Sequence, residues 1–393
     1  MENLPIHPRY PSIALLREQA KRKIPRFAFD YLDGGCNNEV NLARNTKEIR
    51  DIQLHPYYLR GTGTVSTHTK LLGEQYAAPF GIAPIGLQGL MWPRATEILA
   101  KAAFDHNIPF ILSTVATAAI EKVAEITEGK AWFQLYHPQE DTLRDQLLDR
   151  LEAAGIRTLV LLSDVPTFGY RAKEIKNGLS IPPKITWSNM VQIALHPHWA
   201  WQTLLAGQPT FKTLTPYIPK GLSLRHLGLF MNKTFNGRLT EEKVEEIRRR
   251  WKGRLVLKGV ATVEDAKKCI TLGLDGIIVS NHGGRQLDAA ESSIRALSKI
   301  TPRVKDEICV MMDSGIRSGT DVASCLAAGA AFAFLGRSFM YGVAAMGRKG
   351  GKQVIAILHK ELQQVMQQVG CESTQHLSNF LVKAPSEDYY PVE

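Results

Sequence analysis

The chain has 393 residues, 44% of them hydrophobic, and a formal net charge of +10, which supports a sizeable core and excludes a disordered or fibrous class. Its five scattered cysteines form no CxxC pair, which excludes a disulfide framework and a zinc site and points to a reducing compartment. No signal-like segment opens the chain and no apolar run approaches the roughly 20 residues that span a bilayer, so the expected location is cytoplasmic or on a membrane surface. Residues 1–72 read as a helical cap. Short β-branched runs then alternate with amphipathic stretches. The predicted strands are 80–84, 110–114, 131–136, 158–164, 255–259, 276–280, 308–313 and 331–336. Between them lie helical segments such as 93–107, 262–273 and 318–329, each ending in a Gly or Asn able to cap it. A last amphipathic helix is predicted over 352–369.

Eight β-then-α units predict an α/β chain folded as a (β/α)8 TIM barrel, one domain spanning 1–393. The irregularity is a long insertion after the fourth strand, over the barrel mouth. From Ile175 to Thr240 there is no Asp or Glu. The same stretch carries Lys176, Lys184, Lys212, Lys220, Arg225, Lys233 and Arg238, with Trp187, Trp199 and Trp201. Cations beside tryptophans, among apolar residues and without acids, suit an anionic lipid surface. A solvated basic loop or an oligomer contact is the plainer alternative. Nucleic acid is not expected, because no nucleic-acid-binding module accompanies the charge.

The stretch "SNHGGRQLD", Ser280 to Asp288, follows the apolar run "DGIIV" directly. It places a titratable imidazole, a permanent cation and two glycines where a barrel forms its active site. Other polar residues collect just past the strands: Pro84-Ile85-Gly86, Ser113, Gln134 and Tyr136, Asp164 and Arg171, Lys258, Asp313-Ser314-Gly315 with Arg317, and Gly336-Arg337. Glycines and arginines after the last two strands fit a phosphate, since backbone N–H groups, a helix N-terminus and guanidinium groups all favour an anion. A tight turn with solvated arginines is the alternative there. No GxGxxG follows an early strand, which disfavours a dinucleotide fold. Asp164 could accept the His282 ring N–H and raise its pKa toward use as a base. Arg171 and Arg285 together could hold a small carboxylate.

These motifs, with "AFDYLDGG", "APIGLQGLMWP", "LSTVAT", "WFQLY", "SDVPTFGYR", "VLKGV", "DSGIRSGTDV" and "LGR", resemble the FMN-dependent L-2-hydroxy-acid dehydrogenase and oxidase family over nearly the whole chain. "GLQGLMWP", "GYR" and "HPHW" are most similar to its (S)-mandelate and bacterial membrane-associated L-lactate dehydrogenase branches. The resemblance implies His282 as the base, paired with Asp164, and Arg285 and Arg171 on the substrate carboxylate with Tyr31 and Tyr136 beside it. It implies that Pro84, Ile85, Gly86, Ser113, Gln134, Lys258 and Ser280 meet the flavin. Asp313, Ser314, Gly315, Ile316, Arg317, Gly336 and Arg337 would hold the ribityl and phosphate of FMN. Many relatives carry Thr-x-Asp at the end of the fourth strand, and this chain has Leu162-Ser163-Asp164, so either flavin affinity or potential shifts or Ser163 or water replaces the threonine's bond.

The expected activity is oxidation of a 2-hydroxy acid of the mandelate or lactate type to the 2-oxo acid. Gly86 and the basic insertion favour a membrane quinone as acceptor, with the protein peripheral on the inner face of the cell membrane. The resemblance also implies a homo-oligomer, a tetramer. An oxygen-using oxidase that forms hydrogen peroxide is the alternative enzyme. A non-catalytic basic membrane-binding barrel is the alternative of another class.

Overall fold

The structure is a computed structural model and describes residues 4–59, 63–179, 184, 186–219, 230, 232–235 and 237–382. Among these residues, eight strands form one parallel sheet: β3 (Phe80–Ile82), β4 (Ile111–Ser113), β5 (Trp132–Leu135), β6 (Thr158–Leu162), β7 (Arg254–Val260), β8 (Gly276–Val279), β9 (Cys309–Met312) and β10 (Phe332–Leu335). Each pairs with its neighbour in chain order, β10 pairs with β3, and a bridge between Ile82 and Phe110 closes the ring. The fold is a (β/α)8 barrel, as the alternation predicts.

Before it come the cap helices α1 (Ile13–Lys23), α2 (Arg26–Asp33) and α3 (Val40–Arg50). A hairpin of β1 (Thr69–Leu71) and β2 (Glu74–Tyr76) follows, straddling the end of the predicted helical cap. Its turn residues Leu72 and Gly73 have φ of 46° and 86°, the pairing that a tight two-residue hairpin needs. A leucine in that position hides the turn from a sequence reading.

The barrel interior is filled by Ile111, Trp132, Val160, Val256, Ile278, Met311, Phe332 and Phe334, and Leu71 and Tyr76 of the hairpin join the same cluster. Inward side chains from successive strands therefore make a solid core, and the chemistry is confined to the ends. Around the ring run α4 (Gln88–Met91), α5 (Ala95–Asp105), α6 (Ile120–Thr127) and α7 (Asp141–Ala153). After β6 come α8 (Ala172–Lys176), α9 (Trp187–Leu195) and α10 (Pro197–Ala206). The circuit is completed by α11 (Glu241–Arg250), α12 (Val263–Thr271), α13 (Ser293–Val304), α14 (Gly319–Ala327), α15 (Arg337–Met346) and α16 (Gly350–Val369). Asn107, Gly273 and Gly329 all adopt positive φ just past helix ends, as expected of C-terminal caps.

The insertion is not a loose loop. Trp199 of α10 is buried, donates its Nε1–H to the Met91 carbonyl at 3.0 Å, and meets Phe27 of α2 edge-on at 5.8 Å. Gln192 Oε1 of α9 accepts the Phe27 N–H at 3.0 Å, and Thr213 and Leu214 are also buried. These contacts clamp the helix pair to the cap and leave its other side in solvent. Trp187 is 77% exposed, Leu195 72%, Leu205 61% and Trp201 59%. Trp199 thus serves as an internal anchor, whereas Trp187 and Trp201 face outward as a lipid contact requires. Lys176, Lys184, Lys212, Lys233 and Arg238 are exposed, while Lys220 and Arg225 lie outside the described residues. No helix among the described residues is long and apolar enough to cross a membrane.

Candidate active site

The loop after β8 is built by the cap, not by its own propensity. Asp288 accepts the backbone N–H groups of Asn38 and Asn41 at 3.0 and 2.9 Å, placing a carboxylate at the N-terminus of α3 where the helix dipole favours it. Asn281 Nδ2 donates to Asn45 Oδ1 at 2.7 Å, and Asn45 Nδ2 returns a bond to Asn281 Oδ1 at 2.8 Å. Gly284, with φ of 72°, passes so close to Leu42 that a Cβ would lie 2.5 Å from its backbone nitrogen. This tethering holds His282 at φ 58°, a left-handed conformation costing about 1–3 kcal/mol for a non-glycine residue.

His282 Nδ1 lies 2.8 Å from Asp164 Oδ1, just past β6. The other carboxylate oxygen is 3.3 Å from Lys258 Nζ, which also donates to Ser280 Oγ at 2.9 Å and lies 3.4 Å from Asp313 Oδ2. Lys258 and Asp313 are buried and the Asp164 side chain nearly so. Burial alone would raise the Asp164 pKa, but Lys258 and His282 outweigh it and hold the group down at about 2. Burial likewise opposes the Lys258 charge, and Asp164 and Asp313 more than restore it. For His282 the expectation of a raised pKa fails. Burial, helped by Lys258 and Arg171, exceeds the pull of Asp164, and the value falls below the ordinary 6.5. The neutral imidazole, the form that can accept a proton, therefore dominates at neutral pH.

The predicted arginine pair does converge, around a residue that sequence reasoning missed. Glu174 of α8 is buried between the two: Oε1 accepts from Arg285 Nη2 at 2.5 Å, and Oε2 from Arg171 Nη1 at 3.4 Å. Arg285 Nη1 also donates to the carbonyls of Tyr31 and Gly34, and its guanidinium lies 5.0 Å from the Tyr31 ring centroid. Arg171 Nη2 donates to Gln286 Oε1 at 3.0 Å. A signal existed in the sequence. Glu174 is the last acid before the acid-free stretch and stands three residues after Arg171, a spacing that pairs charges on one helical turn.

A cavity of about 1230 Å³ runs across this end of the barrel. Every predicted site residue lines it except Asp164, Ser113, Gln134 and Ser280. Those four stand behind the wall: Asp164 backs His282, Ser280 holds Lys258, and Ser113 donates to Gln134 at 3.0 Å. At one end Arg337 donates to the carbonyls of Leu32, Gly283 and Gly34. Burial, then repulsion from Arg317 and Arg285, drives its pKa down to about 9. Beside this crowded set of cations the N-terminus of α15 has no side-chain cap. The donor set fits a phosphate. Ser163 does not stand in for the absent threonine, since its hydroxyl donates to the Lys258 carbonyl at 2.9 Å, and Leu162 is not on the wall.

If Asp164 raises the His282 pKa against burial, Asp164→Asn lowers it further. Titration of the imidazole by NMR should place the native midpoint below 6.5 and the variant lower still. A variant midpoint equal to or above the native one would contradict this balance of charges.

The chain matches the FMN-dependent dehydrogenase family over residues 20–384. It is 40% identical over 363 residues to the L-lactate dehydrogenase of Xanthobacter autotrophicus, covering 92% of this chain and 93% of that one. To the L-lactate dehydrogenase of Vibrio cholerae it is 38% identical, covering 92% and 96%. Among solved structures it superposes on the monotopic membrane protein (S)-mandelate dehydrogenase with a TM-score of 0.90 at 31% identity, covering 95% of this chain and all of that one. A mandelate oxidase gives 0.80, also at 31%, covering 95% and 98%. With clustered arginines, a buried lysine and a histidine–carboxylate pair around one cavity, this chain belongs to the FMN-dependent dehydrogenase family.

Proposed function

We propose that this FMN-dependent enzyme oxidises an L-2-hydroxy acid of the lactate or mandelate type to the 2-oxo acid and passes the electrons to a membrane quinone. The observation that carries the reaction is the convergence of the His282–Asp164 pair with Arg171 and Arg285 on one cavity. The substrate carboxylate takes the N–H groups that Glu174 and the backbone leave on the two guanidiniums, a paired, charge-assisted contact. Tyr31 and Tyr136, both on the wall, supply hydroxyls beside it. With Nδ1 directed at Asp164, His282 takes the substrate proton at Nε2. The imidazolium so formed sits 2.8 Å from a carboxylate, which offsets the cost of a buried charge.

Arg317, Arg337, Gly315 and the N-terminus of α15 would hold the FMN phosphate. Lys258, Pro84, Ile85 and Gly86, on the same cavity wall, would meet its ring system. Bound there, FMN supplies the acceptor for two electrons. Lys258, kept charged by Asp164 and Asp313, would stabilise negative charge on a reduced flavin ring. Gly86 leaves space that a Cβ could not share, since it would come within 2.9 Å of Val115 Cγ2.

Glu174 sets the charge of the anion site. Two guanidiniums and one carboxylate leave a single net positive charge, matched to a monocarboxylate. The outward apolar face of α9 and α10, flanked by exposed lysines and without acids, supports attachment to anionic lipid at the inner face of the cell membrane. Because Trp199, Thr213 and Leu214 are buried, the segment cannot be excised cleanly, and surface substitutions are the better probe.

His282→Ala should retain yellow FMN yet lose anaerobic bleaching by lactate or mandelate by at least about a hundredfold, and near-native bleaching would refute the assignment. Glu174→Gln should raise the affinity for oxalate relative to acetate by roughly tenfold, read from the perturbed flavin spectrum, because it adds one net positive charge. An unchanged ratio would remove Glu174 from charge matching. Trp187→Ser/Leu195→Ser/Leu205→Ser should abolish flotation with phosphatidylglycerol vesicles while leaving bleaching intact. Continued flotation would reject the lipid face.

A further inference from the structure

The cavity extends beyond the charged groups of the reaction centre. Past the arginine pair it continues between the barrel and the insertion, walled by Leu90, Met91, Ile193, Ala200, Leu204 and Phe211. No charge occurs among those six. Leu204 belongs both to this wall and to the outward apolar face, where it is 72% exposed. The lobe therefore joins the reaction centre to the very surface assigned above to lipid.

We propose that this apolar lobe is a docking corridor for the quinone, entered from the bilayer along the flank of α10. The inference rests on the quinone reading above and assigns it a place. A hydroxy acid carries a carboxylate that would have to be stripped of water to pass an apolar wall, which is unfavourable. A neutral ring with an apolar tail loses nothing there and gains from burial. Gln208 and Thr210, also on the wall, offer donors for its carbonyl oxygens. The reaction balances without another reagent. The hydroxy acid loses the hydrogens of its C–H and O–H bonds as two protons and two electrons, and the quinone gains both pairs to form two O–H bonds as quinol. With FMN bound as the two-electron carrier, one cavity would serve both partners in turn.

Ala200→Trp fills the corridor from α10, an element that carries neither the arginine pair nor His282. In the purified holoenzyme, turnover with decylubiquinone should fall about tenfold or more. Its equilibrium dissociation constant, read from quenching of tryptophan fluorescence, should rise similarly. Anaerobic bleaching by substrate and turnover with ferricyanide should stay within about twofold of native. Leu204→Arg, at the mouth, is the second variant should the first lose FMN or its circular dichroism. Unchanged quinone turnover and binding in a folded variant would overturn the corridor. So would slowed bleaching by the hydroxy acid, which would make the lobe a pocket for the substrate side chain. Native protein that reduces ferricyanide or oxygen but not decylubiquinone would instead defeat the acceptor reading beneath it.

Discussion

Four consecutive strand ends are tied together by one buried chain of charges. Asp164 follows β6, Lys258 lies in β7, Ser280 and His282 follow β8, and Asp313 follows β9. Two carboxylates and one ammonium leave that chain with one negative charge in reserve. This reserve makes an imidazolium tolerable in a place where burial otherwise keeps His282 neutral. A group that is neutral at rest but accommodated when charged suits a base that must take a proton and later return it. The same arrangement restrains Lys258, whose charge would be costly at that depth without its carboxylate neighbours.

Balance of a different sort governs the rest of the cavity. At the substrate end Glu174 neutralises half of the arginine pair, so the guanidiniums are ordered before any anion arrives. At the far end burial, with repulsion from Arg317 and Arg285, outweighs the pull of Tyr341 and Asp33 and depresses the Arg337 pKa. The cavity thus carries a partly neutralised pair of cations at one end and a more crowded set at the other. The wall beyond, with Leu90, Met91, Ile193, Ala200, Leu204 and Phe211, is predominantly apolar.

Rigidity comes from the cap. Asn41, Asn45 and the N-terminus of α3 hold the loop after β8 in a conformation that His282 would not choose in isolation. Arg285 and Arg337 reach the carbonyls of Tyr31, Leu32 and Gly34, so the N-terminal segment is part of the site's frame as much as of its roof. Trp199 gives the insertion a comparable anchor, fixing which of its tryptophans face solvent.

The barrel was legible because strand and helix alternation leaves a periodic apolar record, and loop chemistry is concentrated where the strands stop. His282, Asp164, Lys258 and the arginines could be picked out since charged groups beside buried strands are costly unless used or paired. What the linear order could not supply was the balance between opposing terms. Whether Asp164 or burial wins at His282 depends on distances to Lys258 and Arg171, which lie far away along the chain. Glu174 reads as one more surface acid until α8 folds it between two guanidiniums. The hairpin of β1 and β2 was hidden behind a leucine with positive φ. Composition alone determined that the insertion is basic and apolar. Only tertiary packing decided that one tryptophan is buried on the cavity wall and two are outward, because burial belongs to neighbours in space and not in sequence.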